Sequence, residues 1–368
     1  MRIMFVFVIL VIQVIIFGGH YIAYRGIVDI FQIKNLQILL SLKIIFSILS
    51  VSFVIASLIS SRFFSLFTQI FYSISAIWLG FLFYIVLACA VFLAVKFGIS
   101  SFVSPYILKA FGSTLLGIGV LTGIYGIWNA QNIQVTKTEI AIQGIPNEWR
   151  GKTALWVSDI HFGQIYSTHF SERISKIIQN EHPDILFLGG DVFDGTASDI
   201  KNVLKPLTQI QTTLGTYFIT GNHEEFSTDD TFVKAVQETN ITVLQNKTIE
   251  INGINIIGVD YNDSENKEIF NSKLKTLVKS GEPNILLKHA PTNLDIGSNA
   301  GITLQISGHT HVAQMFPFMY ITNMVYGAFD YGVHRYKSMQ VITSSGVGTW
   351  GPPLRVGTRS EIVKITFK

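Results

Sequence analysis

Apolar residues run almost unbroken through four early stretches, from Ile3 to Phe17, Leu36 to Ser60, Ile70 to Val95 and Ile107 to Trp128. A helix needs about 20 mostly apolar residues to cross the hydrocarbon core of a bilayer. The last three stretches meet that length, and the first meets it if His20 and Tyr21 sit at the membrane interface. These stretches are apolar on all faces rather than along one stripe, which predicts membrane spans and not a buried soluble bundle. Lys43 is the exception, placed near a helix end from which its ammonium can snorkel outward. Arg2 followed by an apolar run also has the outline of a signal peptide. No small-x-small cleavage site follows it, however, and three more spans do, so a multi-pass anchor is expected.

After Trp128 the texture changes. Polar residues (Asn129, Gln131, Asn132) lead into Val135–Ile140, whose alternation predicts a strand. From there to Lys368 short apolar runs alternate with amphipathic segments, the pattern of an α/β domain, with no internal repeat and no low-complexity tract. The expected organisation is a transmembrane region of about four helices over 1–132 and an α/β domain over 133–368.

Charge follows the same division. Residues 1–132 carry seven basic side chains and one acidic one, Asp29, leaving 20 basic and 23 acidic for the remainder; the segments are +6 and −3, which recovers the +3 of the whole chain. The sequence pI of about 8.7 therefore describes the cationic edges of spans and not a basic enzyme surface. No nucleic-acid partner is expected, because backbone neutralisation needs a basic surface that 133–368 lacks in bulk. An even number of spans puts both termini on one side. With the N-terminus outside, the inner loops hold Arg25, Lys34 and Lys96, with Lys43 and Lys109 at span edges; with it inside, the inner flanks hold Arg2, Arg62 and Lys137. The positive-inside rule leans toward an extracytoplasmic 133–368. The one cysteine, Cys89, excludes an intrachain disulfide and leaves the compartment open.

Five polar clusters each follow an apolar run that reads as a strand. Ala154–Val157 leads into Ser158-Asp159-Ile160-His161, and Ile185–Leu188 into Gly189-Gly190-Asp191. Tyr217–Thr220 leads into Gly221-Asn222-His223-Glu224, Ile285–Lys288 into His289, and Leu304–Ser307 into Gly308-His309-Thr310-His311. Ligands of α/β sheets bind beyond the carboxyl ends of strands, so five such ends would converge on one crevice. Asp, Asn and His without a thiolate suit Mn, Fe or Zn. Asp159 and His161, like His309 and His311, would point the same way from an extended strand end. Glycines before Asp191, Asn222 and His309 would permit tight turns. Singly, each cluster has an ordinary reading: a strand-end His is commonly a hydrogen-bonded structural residue, Asp159 a helix N-cap, and Asp191 or Asn222 an Asx-turn. Together they contain five of the nine histidines, which coincidence does not explain.

This ordered series resembles that of the calcineurin-like metallophosphoesterases over roughly 133–368. Ser344–Arg355, followed by Glu361-Ile362, is similar to the C-terminal signature of the membrane-associated branch of that family. The resemblance implies an α/β fold of two packed β-sheets flanked by helices, here preceded by the four-helix transmembrane region. It also implies two divalent metal ions, the first held by Asp159, His161 and His311 and the second by Asn222, His289 and His309, with Asp191 bridging. His223 would be the catalytic histidine that faces the substrate. Related members usually follow Gly-His-Thr-His with Gly-Gly-Gln; here Val312-Ala313-Gln314 stands in its place, and a bulkier loop there changes the substrate pocket.

The implied activity is metal-dependent hydrolysis of a phosphoric ester by metal-activated hydroxide, with His223 protonating the leaving alkoxide or stabilising the transition state. His169, His182 and His334 read as surface or packing histidines, Arg355 as a phosphate contact or an ion-pair partner, and Glu224 and Glu225 as carboxylates at a helix start. A membrane anchor and the apolar run Met315–Tyr320 favour a phosphodiester or pyrophosphate on a lipid or lipid-linked sugar, with the bilayer itself as partner. The alternatives are a hydrolase of soluble nucleotides or phosphomonoesters and a non-catalytic membrane scaffold; the complete ligand set speaks against the latter.

Overall fold

The computed structural model describes residues 2–196, 198–226 and 230–368. The chain forms two compact units, Met1–Trp128 with Gly351–Leu354, and Asn129–Trp350 with Arg355–Lys368.

The first unit is built on four helices: α1 (Arg2–Phe31), α2 (Leu36–Ser60), α3 (Leu66–Ile99) and α4 (Pro105–Gln131). Their starts follow local chemistry. The Asn35 side chain accepts from Gln37 N and Ile38 N at the head of α2, Ser65 and Thr68 form a capping box on α3, and Pro105 supplies a preset φ at the head of α4. All four are long and apolar enough to cross a membrane, and at most 44% of the apolar window of any one is buried. The remaining apolar side chains need a non-aqueous surrounding, which marks a membrane protein. Where α1 and α3 meet, a Cβ on Gly26 would lie 2.4 Å from Cys89 Cβ, so only glycine allows this backbone approach.

One expectation is corrected here. The first helix does not reach its length by placing His20 at an interface; α1 continues to Phe31 and His20 is buried. Both ring nitrogens have partners inside the bundle, Ile16 O at 2.8 Å and Trp78 Nε1 at 2.9 Å, which removes the need for water. Lys43 is exposed, with its ammonium 6.0 Å from the centre of the Tyr24 ring.

The second unit continues with β1 (Gln134–Ile140), β2 (Thr153–Val157), α5 (Thr168–Asn180), β3 (Ile185–Leu188), α6 (Ile200–Thr208), β4 (Thr216–Phe218), α7 (Asn222–Glu225), α8 (Thr231–Gln237) and β5 (Thr242–Val243). Then come β6 (Lys247–Ile251), β7 (Ile254–Gly258), α9 (Tyr261–Glu265), α10 (Lys267–Leu277), β8 (Asn284–Leu287), α11 (Leu294–Ala300), β9 (Leu304–Ser307), α12 (Met319–Tyr326), β10 (Gly332–Tyr336), β11 (Met339–Thr343) and β12 (Glu361–Phe367). One six-stranded sheet has the order β1-β12-β2-β3-β4-β5 and the other β10-β11-β9-β8-β7-β6. Strands β2, β3 and β4 are parallel, as are β7, β8, β9 and β11. The antiparallel hairpins β6–β7 and β10–β11 close the two ends of the second sheet.

The strands are apolar on both faces because both faces are covered. Trp156, Phe187, Ile256, Leu287, Ile306 and Ile342 meet between the sheets. Their neighbours Leu155, Val157, Leu186 and Leu188 face α5 and α6 through Ile174, Ile178, Leu204 and Leu207. On the other sheet Ile257, Leu286 and Val341 face Phe270 and Leu274 of α10 and Leu294 of α11. The unit is thus a helix–sheet–sheet–helix sandwich, as the resemblance implied.

Gly189, directly after β3, has no room for a side chain, since its Cβ would lie 2.1 Å from the fully buried Trp156 ring. Gly189→Ala is expected to destabilise the protein by roughly 1–3 kcal/mol through overpacking. Thermal unfolding in detergent measures it, and an unchanged midpoint would mean that the indole yields.

Candidate metal centre

Strands β2, β3 and β4 of one sheet and β8 and β9 of the other run out into loops that carry every residue expected at the centre. Asp159 and His161 follow β2, Asp191 follows β3, Asn222 and His223 open α7 after β4, His289 follows β8, and His309 and His311 follow β9. The fold brings them together. Asp159, His161 and His311 present ligand atoms all within 4.8 Å of one another, and so do Asp191, His289 and His309. Asp191 Oδ2 stands between the groups, 3.2 Å from His289 Nε2 and 3.9 Å from both His161 Nε2 and His223 Nε2. His311 Nε2 is 3.1 Å from His161 Nε2 and 3.5 Å from Asp159 Oδ1. Asn222, His223, His161, Asp191, His309 and His311 line a crevice of about 240 Å³, together with Phe226 and Trp350.

The backbone reaches this arrangement by a route the strand reading did not foresee. Asp159, His161, Asp191, His309 and His311 are not extended; their φ values are 56°, 56°, 49°, 71° and 47°. Left-handed backbone at non-glycine residues is costly and persists only where the surroundings over-determine it. Here the loops are laced together: Asp159 N donates to Gly190 O and His161 N to Asp191 O, both at 3.0 Å, while Val347 N and Gly348 N donate to Ser158 O and Asp159 O. The glycines also act differently from expectation. Gly190 alone of the three needs a positive φ, at 84°. Gly221 and Gly308 serve close approach, since a Cβ would lie 2.2 Å from Asp191 Oδ1 in the first case and 2.4 Å from Asp159 Oδ2 in the second.

Two further side chains hold the loops. The buried Glu224 carboxylate accepts from Asp191 N, Phe193 N and Gly221 N at 2.7–3.0 Å, which ties the ends of β3 and β4. It does more than face a helix dipole. Burial, with Asp191 adding, pushes its carboxyl up to about 7. Arg355 is fully buried and reaches no solvent; its guanidinium donates to Ser345 O, Gly346 O and Gly348 O at 2.6–3.1 Å. It is neither a phosphate contact nor half of an ion pair, but a clamp on the loop beside Asp159 and His161.

The electrostatics ask for a cation. His289 Nδ1 lies 2.8 Å from Gly189 O, a contact that requires the proton on Nδ1 and turns the Nε2 lone pair toward Asp191. Nε2 and the buried Asn222 Oδ1 have no hydrogen-bond partner among the described residues. Burial alone lowers a histidine, yet the Asp191 and Asp159 carboxylates raise His289 to about 10. Burial raises a carboxyl, yet His289, His161 and His223 hold Asp191 well below its usual range. His309, desolvated and beside His289, is pushed down to about 3, and burial keeps His311 far below 6.5. Imidazoles held neutral at His309 and His311, one drawn toward protonation at His289 by buried carboxylates, and orphaned polar atoms between them make a donor set suited to a divalent metal.

Some neighbours escaped the sequence reading. Asp194, three residues after Asp191, accepts from His223 Nδ1 through its carbonyl at 3.0 Å and has its carboxylate 3.4 Å from His161 Nδ1. The rings of Phe226 and Trp350 lie 5.1 Å and 5.9 Å from that of His223. Tyr261 lies 5.9 Å from His289 and 5.7 Å from His309, and Tyr326 6.4 Å from His309. Asp194, Phe226 and Trp350 sit in or beside the motifs; nothing local marks Tyr261 or Tyr326. The Val312-Ala313-Gln314 departure leaves three consecutive non-glycine residues at φ 50°, 50° and 64°. His169 and His182 are exposed, and His334 bonds to Tyr331 O at 2.9 Å away from the crevice.

Comparison with known proteins agrees with this geometry. Residues 152–313 match the family model described as calcineurin-like phosphoesterase. The chain is 30% identical over 234 residues to an uncharacterized metallophosphoesterase of Helicobacter pylori, covering 62% of each chain. It is 29% identical over 259 residues to a metallophosphoesterase of Aquifex aeolicus, covering 68% of this chain and 98% of that one. It is also 28% identical over 281 residues to a transmembrane protein with metallophosphoesterase domain of Danio rerio, covering 70% and 63%. The chain thus spans a little over three-fifths of the length of the Helicobacter relative.

Two outcomes are expected. Val312→Gly should raise stability by about 1 kcal/mol by releasing left-handed strain at a β-branched residue, read as a higher thermal midpoint with unchanged metal content. Asp191→Ala should drop bound divalent metal by at least one ion per chain in elemental analysis; full retention would exclude a bridging role.

Proposed function

We propose, from the premise that this chain carries a calcineurin-like metallophosphoesterase domain, that it is a membrane-anchored hydrolase of a phosphodiester or pyrophosphate bond. The preferred substrate is lipid-borne or lipid-linked, and two divalent ions (Mn, Fe or Zn) serve the reaction. The supporting observation is Asp191, whose carboxylate stands between two side-chain groups each able to hold a metal ion.

The Asp159, His161, His311 group would hold one ion and Asn222, His289, His309 the other, with Asp191 shared. When bound, such a pair lowers the pKa of a shared water and neutralises the charged oxygens around phosphorus. The rest is done by side chains of this chain. His223 N donates to Asp191 Oδ1 at 2.9 Å, which keeps the shared carboxylate turned inward. His223 Nδ1–H donates to Asp194 O, so Nε2 faces the crevice; the ring passes a proton to the leaving oxygen from its imidazolium form, which burial disfavours and the Asp191 carboxylate 3.9 Å away favours. The Phe226 and Trp350 rings lie beside the His223 ring, 5.1 Å and 5.9 Å away. A positioned acid of this kind contributes roughly 10²–10⁴-fold in rate.

The lipid preference rests on the anchor and on the apolar Met315–Tyr320 segment that leaves the His309–His311 loop. A soluble nucleotide gains nothing from four spans, whereas a lipid-borne phosphate gains local concentration. For orientation, the ends of the spans joined by the α1–α2 and α3–α4 loops collect Arg25, Lys34, Lys43, Lys96 and Lys109. By the positive-inside rule this supports cytoplasmic loops there and an extracytoplasmic sandwich.

His223→Ala should lower turnover roughly 10²–10⁴-fold while elemental analysis still finds two metals per chain; a variant that loses its metals would assign His223 to the metals instead. A panel of phosphoesters presented with and without lipid micelles should show preference for the lipid-borne diester or pyrophosphate. Equal turnover of soluble nucleotides would favour the nucleotide reading.

A further inference from the structure

Helix α12 carries an apolar face that the domain does not cover. Tyr320, Ile321, Met324 and Val325 are spaced one helical turn apart along it and are 63%, 55%, 85% and 67% exposed, and the preceding Phe316 and Phe318 are exposed as well. No charged residue occurs from Val312 to Phe329. An ordinary amphipathic helix turns such residues inward. This one turns Met319, Thr322 and Tyr326 toward the domain: Tyr326 lies 6.4 Å from the His309 ring, and Thr322 Oγ1 is 3.5 Å from Asp330 Oδ2. The segment is fastened at its base, where Phe316 N donates to Val356 O at 2.8 Å and Thr310 Oγ1 to Asp330 O at 2.7 Å.

We infer that the Phe316–Val325 face is seated in the interfacial layer of the lipid bilayer. Two observations select lipid as its occupant. The chain holds four helices fit to cross a membrane, and only Asn132 and Ile133 separate the last of them from β1. Two residues span no more than about 7 Å, so a bilayer is permanently within reach of the sandwich. The composition also matches that layer: two phenylalanines and a tyrosine with aliphatic neighbours and no charge suit the boundary of acyl chain and headgroup. A contiguous apolar patch of this kind is rare on a water-facing surface. Because Tyr326 ends the same helix against His309, lipid contact on one face bears on the crevice from the other. The bilayer contact stands without the proposed reaction; only its consequence for turnover rests on that reading.

The test uses the full chain with Cys89→Ala, reconstituted in phosphatidylcholine nanodiscs, carrying a polarity-sensitive fluorophore on Met324→Cys or, as control, on His169→Cys, whose native side chain is 93% exposed. The expected result is a blue-shifted emission at 324, quenched several-fold more by a nitroxide lipid labelled near the headgroup than emission at 169. Water-like emission at 324 with no lipid quenching overturns the inference. So does energy transfer between differently labelled copies without lipid quenching, which assigns the face to a second copy. Ile321→Cys on the same stripe repeats the measurement if Met324→Cys does not fold. In a second arm, Ile321→Glu with Met324→Glu should slow a vesicle-borne phosphodiester about tenfold or more and leave bis(p-nitrophenyl) phosphate in detergent unchanged. Equal loss on both substrates shows a structural defect in the variant and overturns the coupling to the crevice. If the unsubstituted protein hydrolyses neither substrate, the hydrolase reading fails while the quenching result still decides the bilayer contact.

Discussion

Everything around the crevice depends on one electrostatic constraint: two buried carboxylates share a small space with five imidazoles. Asp159 is completely buried and Asp191 nearly so. Carboxylates in such surroundings either protonate or find positive charge. Asp191 cannot readily protonate, because the histidines around it hold it ionised, and those histidines cannot all protonate, because burial and mutual repulsion hold His309 and His311 neutral. One proton on His289 relieves part of the imbalance. It leaves Asn222 Oδ1 without a partner and two imidazole nitrogens 3.1 Å apart. Divalent cations resolve all three conditions together.

A constraint of that kind has to be enforced by the surrounding structure, and the sandwich supplies it in layers. The inter-sheet core fixes the five strand ends relative to one another. Glu224 spends its carboxylate on three backbone amides of the β3 and β4 loops, and Arg355 spends its guanidinium on three carbonyls of the loop beside Asp159. Neither touches the space where a substrate would lie. Backbone bonds between the loops then hold five site residues in left-handed conformations that would relax if the loops were independent. The strain is concentrated where the ligand atoms must converge, and the packing that sustains it is spread over both sheets.

The sequence made the spans, the strands and the residues that gather at the crevice legible because each leaves a local trace: unbroken apolarity for spans, a short apolar run before each polar cluster, and residue types that share a donor chemistry. Convergence was also inferable, since parallel strands present their carboxyl ends along one edge. Three things were not. The left-handed backbone at Asp159 and His309 is imposed by partners distant in sequence, so the pleat of an extended strand gave the right outcome for the wrong reason. Arg355 looked like a phosphate contact or an ion-pair partner because an exposed basic residue in a glycine-rich loop has that outline; its burial is a tertiary fact. Tyr261 and Tyr326 reach the crevice from helices whose sequences carry no chemical motif.

The aromatic residues beside the site histidines fall into two chemically different sets, and on the proposed reading this bears on the substrate. Phe226 and Trp350, both well exposed, flank His223, the side where a leaving group would depart. They offer flat apolar surface and no charge. Tyr261 flanks His289 and His309, and Tyr326 flanks His309, with phenols whose ionisation burial makes harder. No lysine or arginine lines the described crevice. On the proposed reaction, a nucleotide polyphosphate would meet no lysine or arginine at the described crevice, whereas a phosphoester with an apolar leaving group would find apolar rings on the His223 side. The same contrast recurs on α12, apolar outward and joined to His309 inward. On the proposed reading, the uncharged surfaces beside His223 and on α12 are those an amphipathic substrate would use.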